Sequence, residues 1–339
     1  SSNNGTVEQI SLSNYSDTAI YASNKILPSI VGIEIEYNVT SSLSIFGGGS
    51  STSTATASGS GIIISKDGYI VTNNHVVDTS SSSSYSYYNV SEAKSVKVKL
   101  YNDDKVYDAT IVGKDSKTDL AVIKIDAQDL TPAEFANSDN VKIGEFVMAV
   151  GNPLGLENSI TDGIVSAVNR QVSSNDGTVY TCIQTNAAIN SGNSGGALVN
   201  SEGKVIGINT LKLSGTGVEG IGFAIPINST LDVINDLIEH KKVLRPYIGI
   251  SAQDVDEATA KKNNLVVGVY IKAIEDFSAA EKAGLKVGDV IIKANGTSVK
   301  TFDDLEAVKN SLKIGDELKL TVNRNGSEKE ITVILQEAP

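Results

Sequence analysis

Two histidines and one cysteine in a chain of 339 residues leave few places where a side chain can act as a base or hold a metal. His75 stands in Val71-Thr72-Asn73-Asn74-His75-Val76-Val77, just past a β-type run, where an imidazole meets solvent and can take a proton. His240 closes an apolar-striped helical stretch beside Lys241, where a cation complements a helix C-terminus, and reads as structural. Gly192-Asn193-Ser194-Gly195-Gly196 offers His75 a partner. A serine hydroxyl is a poor nucleophile unless a base takes its proton and donors stabilise the oxyanion that forms. Flanking glycines let the chain turn sharply, expose Ser194 Oγ and aim the Gly192 and Ser194 N–H groups into one pocket. Asp119 introduces the apolar run 120–125 and supplies a carboxylate able to hold the imidazole tautomer. Each residue alone has an ordinary reading as a structural imidazole, a Gly/Ser turn or a turn-capping acid. Together they are a reagent set for acyl transfer. Cys182 cannot form an internal disulfide, and two distant histidines give no dense ligand set, so no metal and no cofactor are expected.

Short β-type runs at 61–65, 69–72, 96–101, 109–112, 120–125, 146–150, 163–168 and 205–209 are separated by turn residues such as Lys66-Asp67-Gly68 and Ser201-Glu202-Gly203. That spacing predicts an antiparallel barrel or sandwich. A helix is predicted over 18–27, closed by Pro28, and a strand over 30–37. The Ser/Thr/Gly-rich stretch 38–58 reads as a mobile loop, and 79–86, running into Tyr85, Tyr87 and Tyr88, as a solvated one. Leu231, Val233, Ile234, Leu237 and Ile238 recur at helical spacing. Beyond them a fresh set of strands, with helices near 279–283 and 302–312, marks a second domain. The expected division is a polar tail or linker at 1–16, a first domain at 17–228, a connecting helix and linker at 229–246 and a second domain at 247–339.

Forty acidic against 28 basic residues give a net charge of −12, which argues against nucleic acid or an anionic membrane as principal partner. No apolar run approaches the ~18–20 residues that span a bilayer. The chain begins at Ser1, and removal of a longer N-terminus, with a membrane anchor in it, is the expectation that this start raises.

Thr72-Asn73-Asn74-His75-Val76-Val77, Thr118-Asp119-Leu120-Ala121-Val122, Gly151-Asn152-Pro153-Leu154-Gly155 and Ala188-Ile189-Asn190-Ser191-Gly192-Asn193-Ser194-Gly195-Gly196-Ala197-Leu198 follow in one order. The order His75, Asp119, Ser194 is that of chymotrypsin-like proteases, and the whole series resembles the HtrA/Deg serine proteases over roughly residues 17–337. The resemblance implies a mostly β fold, a chymotrypsin-like double β-barrel followed by a small α+β PDZ domain. It implies ATP-independent endoproteolysis of unfolded, misfolded or tagged proteins in quality control, stress response or regulation, by a homotrimer or larger assembly working outside the cytoplasm. His75 then matches the general base, Asp119 the orienting acid, Ser194 the nucleophile, and Gly192 and Ser194 the oxyanion donors. Asn193 stands where digestive relatives carry the Asp that pairs with a newly cut N-terminus, so rearranging loops, not zymogen cleavage, are expected to set the oxyanion hole. Ala188 stands where a trypsin-like enzyme carries its specificity acid. With Ile189 and Leu211 it is expected to form a small apolar S1 pocket for Val, Ala, Ile or Leu, since a cation there would lack a partner. Asn186 replaces the usual Asp of its loop, and Arg170 resembles a loop arginine that couples peptide binding to the active site, against a plain reading as a solvated charge.

Tyr247-Ile248-Gly249-Ile250 and Ala283-Gly284-Leu285-Lys286-Val287-Gly288-Asp289-Val290-Ile291 look like PDZ signatures. A Gly-containing loop can present successive N–H groups to a terminal carboxylate while the next strand pairs with the peptide, so Tyr247, Ile248, Gly249 and Ile250 are the candidates for peptide C-termini. Two functions follow: an active endoprotease served by its PDZ domain, or a peptide-binding chaperone or scaffold with gated or minor proteolysis. With His75 as base, activity should fall as pH drops through ~6.5–7.

Overall fold

The computed structural model describes residues 12–41, 51–79, 88–153, 159–213 and 220–338. The expected tail over 1–11, the Ser/Tyr stretch 80–87, and Leu154 and Gly155 lie outside them. The first unit runs to Val243 and the second from Leu244.

The first unit opens with α1 (Leu12–Ile26), then β1 (Ile30–Ser41), β2 (Ser51–Ile63), β3 (Tyr69–Asn73), α2 (Asn74–Val77), β4 (Tyr88–Val90), β5 (Ser95–Lys99), β6 (Val106–Asp115) and β7 (Leu120–Ile125). These strands pair in the order β2-β3-β7-β6-β5-β1, β1 returns to β2 to close a six-stranded barrel, and β4 adds to β1 outside it. A second closed barrel joins β8 (Phe146–Gly151), β9 (Ser159–Ser173), β10 (Val179–Thr185), β11 (Ala197–Val199), β12 (Val205–Asn209) and β13 (Gly222–Pro226) in the order β10-β13-β12-β11-β8-β9. The helix α3 (Ile227–His240) follows.

Strand periodicity accounts for both the interiors and what lies outside them. On β7, Ala121, Ile123 and Ile125 point into the first barrel, while Leu120 and Val122 join Met148, Val150, Ala197 and Ile208 in a separate core layer. β7 is therefore apolar on both faces, with Lys124 as its one charged residue, instead of alternating. The second barrel is filled by Val147, Ala149, Val165, Ile183, Leu198 and Ile206. Cys182 on β10 is fully buried, and burial pushes its thiol up to about 12.

Three expectations change. Most of the expected loop 38–58 is hairpin: β1 and β2 pair from Ile30↔Ile62 to Ser41↔Ser51, because ladder hydrogen bonds need only backbone and the barrel roots the other end. α1 starts at Leu12 and anchors itself through buried Ala22 and Ile26 and through Tyr15, edge-on to Phe146 at 5.4 Å. The helix expected as a connector packs on β6, β7, β12 and β13 through Ile227, Thr230, Ile234 and Leu237, so it belongs to the first unit; Leu231 is 40% exposed. Among the described residues no helix is long and apolar enough to cross a membrane.

The second unit holds β14 (Pro246–Tyr247), β15 (Ile250–Val255), α4 (Glu257–Asn263), β16 (Gly268–Ile274), α5 (Ala279–Ala283), β17 (Val290–Ala294), β18 (Thr297–Ser298), α6 (Phe302–Asn310), β19 (Glu317–Arg324), β20 (Ser327–Ile334) and β21 (Gln336–Glu337). Its sheet runs β15-β16-β17-β19-β20 with β15 at an edge, and β14 pairs with β21. Asp289, 1% exposed, receives Arg324 Nε at 2.7 Å, Nη2 at 2.7 Å and the Lys286 N–H at 2.9 Å. Burial alone would raise its carboxyl, but these donors prevail and hold it below the usual carboxylate range. A depressed folded pKa contributes stability that is present above the unfolded value of about 3.9 and is lost as pH falls through the folded one. Urea unfolding of the second unit at about pH 3 and about pH 7 is therefore expected to differ more in the parent than in Asp289→Asn, which has no proton to gain.

Candidate active site

α2 is a single turn, and Asn73 at its N-cap leaves the capping to another residue: its side chain makes no cap bond. Asp119 does it instead, accepting the His75 N–H on Oδ1 at 3.0 Å and the Asn74 N–H on its carbonyl at 2.9 Å. Asp119 lies between β6 and β7 at φ 55, left-handed backbone that Asp tolerates because its short polar side chain bonds locally. Its carboxylate, 1% exposed, meets His75 Nδ1 with Oδ2 at 2.8 Å and Oδ1 at 3.0 Å, and Thr210 Oγ1 donates to Oδ2 at 3.1 Å. His75 Nε2 lies 3.1 Å from Ser194 Oγ. Ser194 is 2% exposed, while the imidazole keeps 29% of its surface in solvent, open to proton exchange. The three residues singled out by type thus form one continuous hydrogen-bonded line across the two barrels.

The serine loop is pinned from below. Ser60 N–H donates to Ser194 O at 2.9 Å and Ser60 Oγ to Gly192 O at 2.7 Å, while Gly195 N–H and Gly196 O pair with the Asn209 backbone at 2.9 Å each. Gly195 sits at φ 82, where a Cβ would come 2.3 Å from Ser60 O.

The oxyanion donors are not aimed together into an open pocket. Gly192 N–H donates to Asn190 Oδ1 at 2.9 Å and Ser194 N–H to Asn190 O at 3.0 Å, so one helical turn closed by Asn190 satisfies both amides. Buried Asn193 fastens that turn: Oδ1 accepts the Asn190 N–H at 3.0 Å and Nδ2 donates to Ala188 O at 2.9 Å. Leu211 comes directly to the serine, its N–H donating to Ser194 Oγ at 3.1 Å. Ile189 packs against Gly222, where a Cβ would lie 2.5 Å from its Cγ1; Ala188 is exposed. Asn186 still serves as an acceptor, taking the Ile164 N–H on Oδ1 at 2.8 Å. Arg170 is exposed on β9 opposite Cys182, apart from the triad's hydrogen bonds.

Residue types had not singled out Asn73, Thr210, Asn190 or Lys212. The doubled Asn before His75 was a signal for the first; Thr210 and Asn190 gave none beyond their nearness to Leu211 and Ser194. Lys212 Nζ reaches Asp176 Oδ2 at 3.1 Å and Tyr180 Oη at 3.3 Å, tying the β9–β10 turn to the segment beside Ser194.

In the second unit Ile248 is 3% exposed and packs with Ala279, Ala280 and Leu285, so its side chain is core and not a ligand contact, and its carbonyl accepts the Ala280 N–H at 2.9 Å. Gly249 has φ 87, and a Cβ there would lie 2.2 Å from Ser278 Cβ. The Ile248 and Gly249 N–H groups make no backbone hydrogen bond among the described residues. Ile250 starts the edge strand β15, which α6 flanks with Phe302 N–H on Asp254 Oδ1 at 2.7 Å. The Tyr247 hydroxyl pairs with Glu275.

The family model for a trypsin-like peptidase domain matches residues 59–208, and that for a PDZ domain matches residues 246–335. The serine protease Do-like HtrA of Lactobacillus helveticus is 44% identical over 283 residues, 79% of this chain and 65% of that protein. The serine protease Do-like HtrB of Bacillus subtilis is 42% identical over 327 residues, 91% of this chain and 68% of that protein. The chain thus spans about two thirds of the length of these two relatives and 56% of the periplasmic serine endoprotease DegP of Escherichia coli. A solved structure of the HtrA-type protease AlgW with a decapeptide superposes with a TM-score of 0.73 at 30% identity, covering 95% of this chain and 99% of that one. A peptidase domain and a PDZ domain in this order, carried along the same sequence as these relatives, make the chain a member of the HtrA/Deg family of serine proteases.

Proposed function

We propose that this chain is an ATP-independent serine endopeptidase in which Ser194 attacks, His75 takes its proton and Asp119 holds the imidazole. The observation that carries this is the unbroken line Asp119 Oδ2, His75 Nδ1, His75 Nε2, Ser194 Oγ, at 2.8 and 3.1 Å. Asp119 keeps Nδ1 protonated, which leaves Nε2 free to accept, and it stabilises the imidazolium once the proton arrives. The tetrahedral oxyanion then needs the Gly192 and Ser194 amides, so the turn closed by Asn190 must unwind before turnover. Ala188, Ile189 and Leu211 are assigned to a small apolar S1 site that takes Val, Ala, Ile or Leu. The Tyr247, Ile248, Gly249 and Ile250 loop would bind peptide C-termini: the two N–H groups without a backbone partner face the carboxylate, and edge strand β15 pairs with the tail. Arg170 is assigned to the loop that passes peptide binding on to the serine. Unfolded or misfolded proteins are the proposed substrates, and a homotrimer or larger homo-oligomer the proposed assembly. An extracytoplasmic setting is part of the same reading and accords with curated relatives named periplasmic.

The engaged amides favour a second reading, a chaperone or scaffold whose proteolysis stays gated. Reduced casein incubated with the parent and with Ser194→Ala, each with and without peptides ending in an apolar residue, separates the two. The expected result is cleavage by the parent alone, stimulated by peptide, with new C-termini at Val, Ala, Ile or Leu. No cleavage by either protein under any peptide moves the assignment to the scaffold, equal cleavage by both means the wrong serine, and cuts after Lys or Arg refute the pocket.

A further inference from the structure

Asn at a helix N-cap ordinarily spends its side-chain oxygen on the N–H groups of the first turn. Asn73 does not, because Asp119 already takes those of Asn74 and His75. Fully buried, Asn73 instead donates Nδ2 to Asp119 O at 3.2 Å and presents Oδ1 to Ser194 Oγ at 3.2 Å. It is a second bridge between Asp119 and Ser194, parallel to the imidazole.

The serine hydroxyl has a single proton and two acceptors within reach, His75 Nε2 at 3.1 Å and Asn73 Oδ1 at 3.2 Å. Leu211 N–H donates to the same oxygen and offers no third acceptor. While Nε2 is unprotonated, the hydroxyl can donate to it, the arrangement that precedes attack. Once Nε2 carries a proton it becomes a donor to Oγ, and the hydroxyl must turn elsewhere or leave a buried donor unpaired. We infer that Asn73 is a positioning residue for the nucleophile: its Oδ1 receives the Ser194 hydroxyl whenever His75 is protonated and returns it when Nε2 is free. The inference rests on the proposed pairing of His75 with Ser194. Asn73 touches no reacting bond and acts through the hydroxyl alone.

The consequence has a definite sign. Asn73 gives the hydroxyl a partner in the protonated state, whereas in the unprotonated state Nε2 can serve in its place. Removing the Asn73 acceptor therefore disfavours protonated His75. The charged and titratable groups about the imidazole are Asp119 in contact with it, Lys212 and Tyr180, which interact electrostatically with Asp119, and the Asp78–Lys114 pair just beyond α2. Asn73→Ala keeps all of them and removes only the Nδ2 bond to the Asp119 carbonyl, an effect that the Ser194→Ala background carries equally.

The test uses the full chain with His240→Gln, which leaves His75 as its sole histidine. The imidazole carbon-bound proton is followed by NMR from about pH 5 to about pH 9. Asn73→Ala is expected to lower the His75 midpoint by about 0.5–1 pH unit, the size of one neutral hydrogen bond. In a Ser194→Ala background the same substitution is expected to leave the midpoint in place, because no hydroxyl remains to be received. An unchanged or raised midpoint, or an equal drop without the hydroxyl, overturns the inference. Asn73→Val, which keeps a strand-compatible side chain without an acceptor, substitutes if the alanine variant fails to fold. In the unaltered chain the Asn73 side-chain amide signals should titrate together with His75, and insensitivity there also overturns it. Labelling of Ser194 by a fluorophosphonate separately tests the pairing on which the inference rests.

Discussion

Asp119→Asn is expected to lower kcat on an unfolded-protein substrate about 10⁴-fold while leaving the barrels folded. Asn tolerates the left-handed backbone at φ 55, matches the shape of the carboxylate and keeps one oxygen to accept the His75 N–H or the Thr210 hydroxyl. It replaces one acceptor oxygen with an NH₂ donor at a site whose partners, the His75 N–H, the His75 Nδ1–H and the Thr210 hydroxyl, all donate. If that NH₂ faces Nδ1, it forces the proton onto Nε2, and the imidazole then has nothing with which to accept from Ser194. The negative charge that would stabilise the imidazolium is also gone. Steady-state kinetics on peptide-activated protein, with circular dichroism to establish the fold, measure this. A loss under about tenfold would mean that Asp119 acts mainly as the cap of α2 and that another group orients His75.

Gly195→Ala is expected to be among the most damaging single methyls in the first unit. The added carbon meets Ser60 O at 2.3 Å and Thr72 Oγ1 at 2.5 Å, at a residue already in left-handed backbone. Neither neighbour can yield easily, because Thr72 Oγ1 donates to Ser60 O at 2.7 Å and Ser60 itself holds Ser194 O and Gly192 O. Left-handed backbone costs a non-glycine residue about 1–2 kcal/mol, and the overlap takes the total to about 4 kcal/mol, a drop near 10 °C in Tm. A shift of about 1 Å in the adjacent Ser194 would by itself cost about 10² in rate. Gly144→Ala is the matched control: φ is 91, but no atom lies within 4 Å of the added carbon, so only the backbone cost of about 1–2 kcal/mol is expected. Thermal melts of both variants beside the parent decide it. Equal shifts would mean that the loop relaxes and that Gly195 is needed for conformation alone.

What could be read from residue types was the reagent set and the strand rhythm. His75, Asp119 and Ser194 were legible because few residue types can do their chemistry and only two histidines had to be weighed. The barrels were legible because β3, β7 and β8 are apolar runs between turn residues. The β1–β2 hairpin was not: Ser, Thr and Gly carry little burial signal, and its ladder rests on backbone groups that every sequence possesses, with hydroxyl pairs such as Thr40 and Thr52 at 3.1 Å only adding to it. The state of the oxyanion amides was illegible for a related reason, since Gly192 and Asn190 spell the same motif whether their amides face a substrate or each other. Asn73 was hidden by its own type, because Asn before a helical turn ordinarily signals a cap, and only the carboxylate arriving from the next hairpin shows that the capping is done elsewhere.

Cys182, fully buried on β10 with a thiol pushed up to about 12, is almost wholly protonated near neutrality and beyond the reach of bulk reagents. Only the thiolate is a competent nucleophile, so oxidants and alkylating agents find little to react with. The molecule is in effect redox-silent. A cysteine introduced at an exposed position would be the sole reactive thiol, which opens the serine loop and the β15 edge to site-specific spectroscopic labels without prior removal of the native residue.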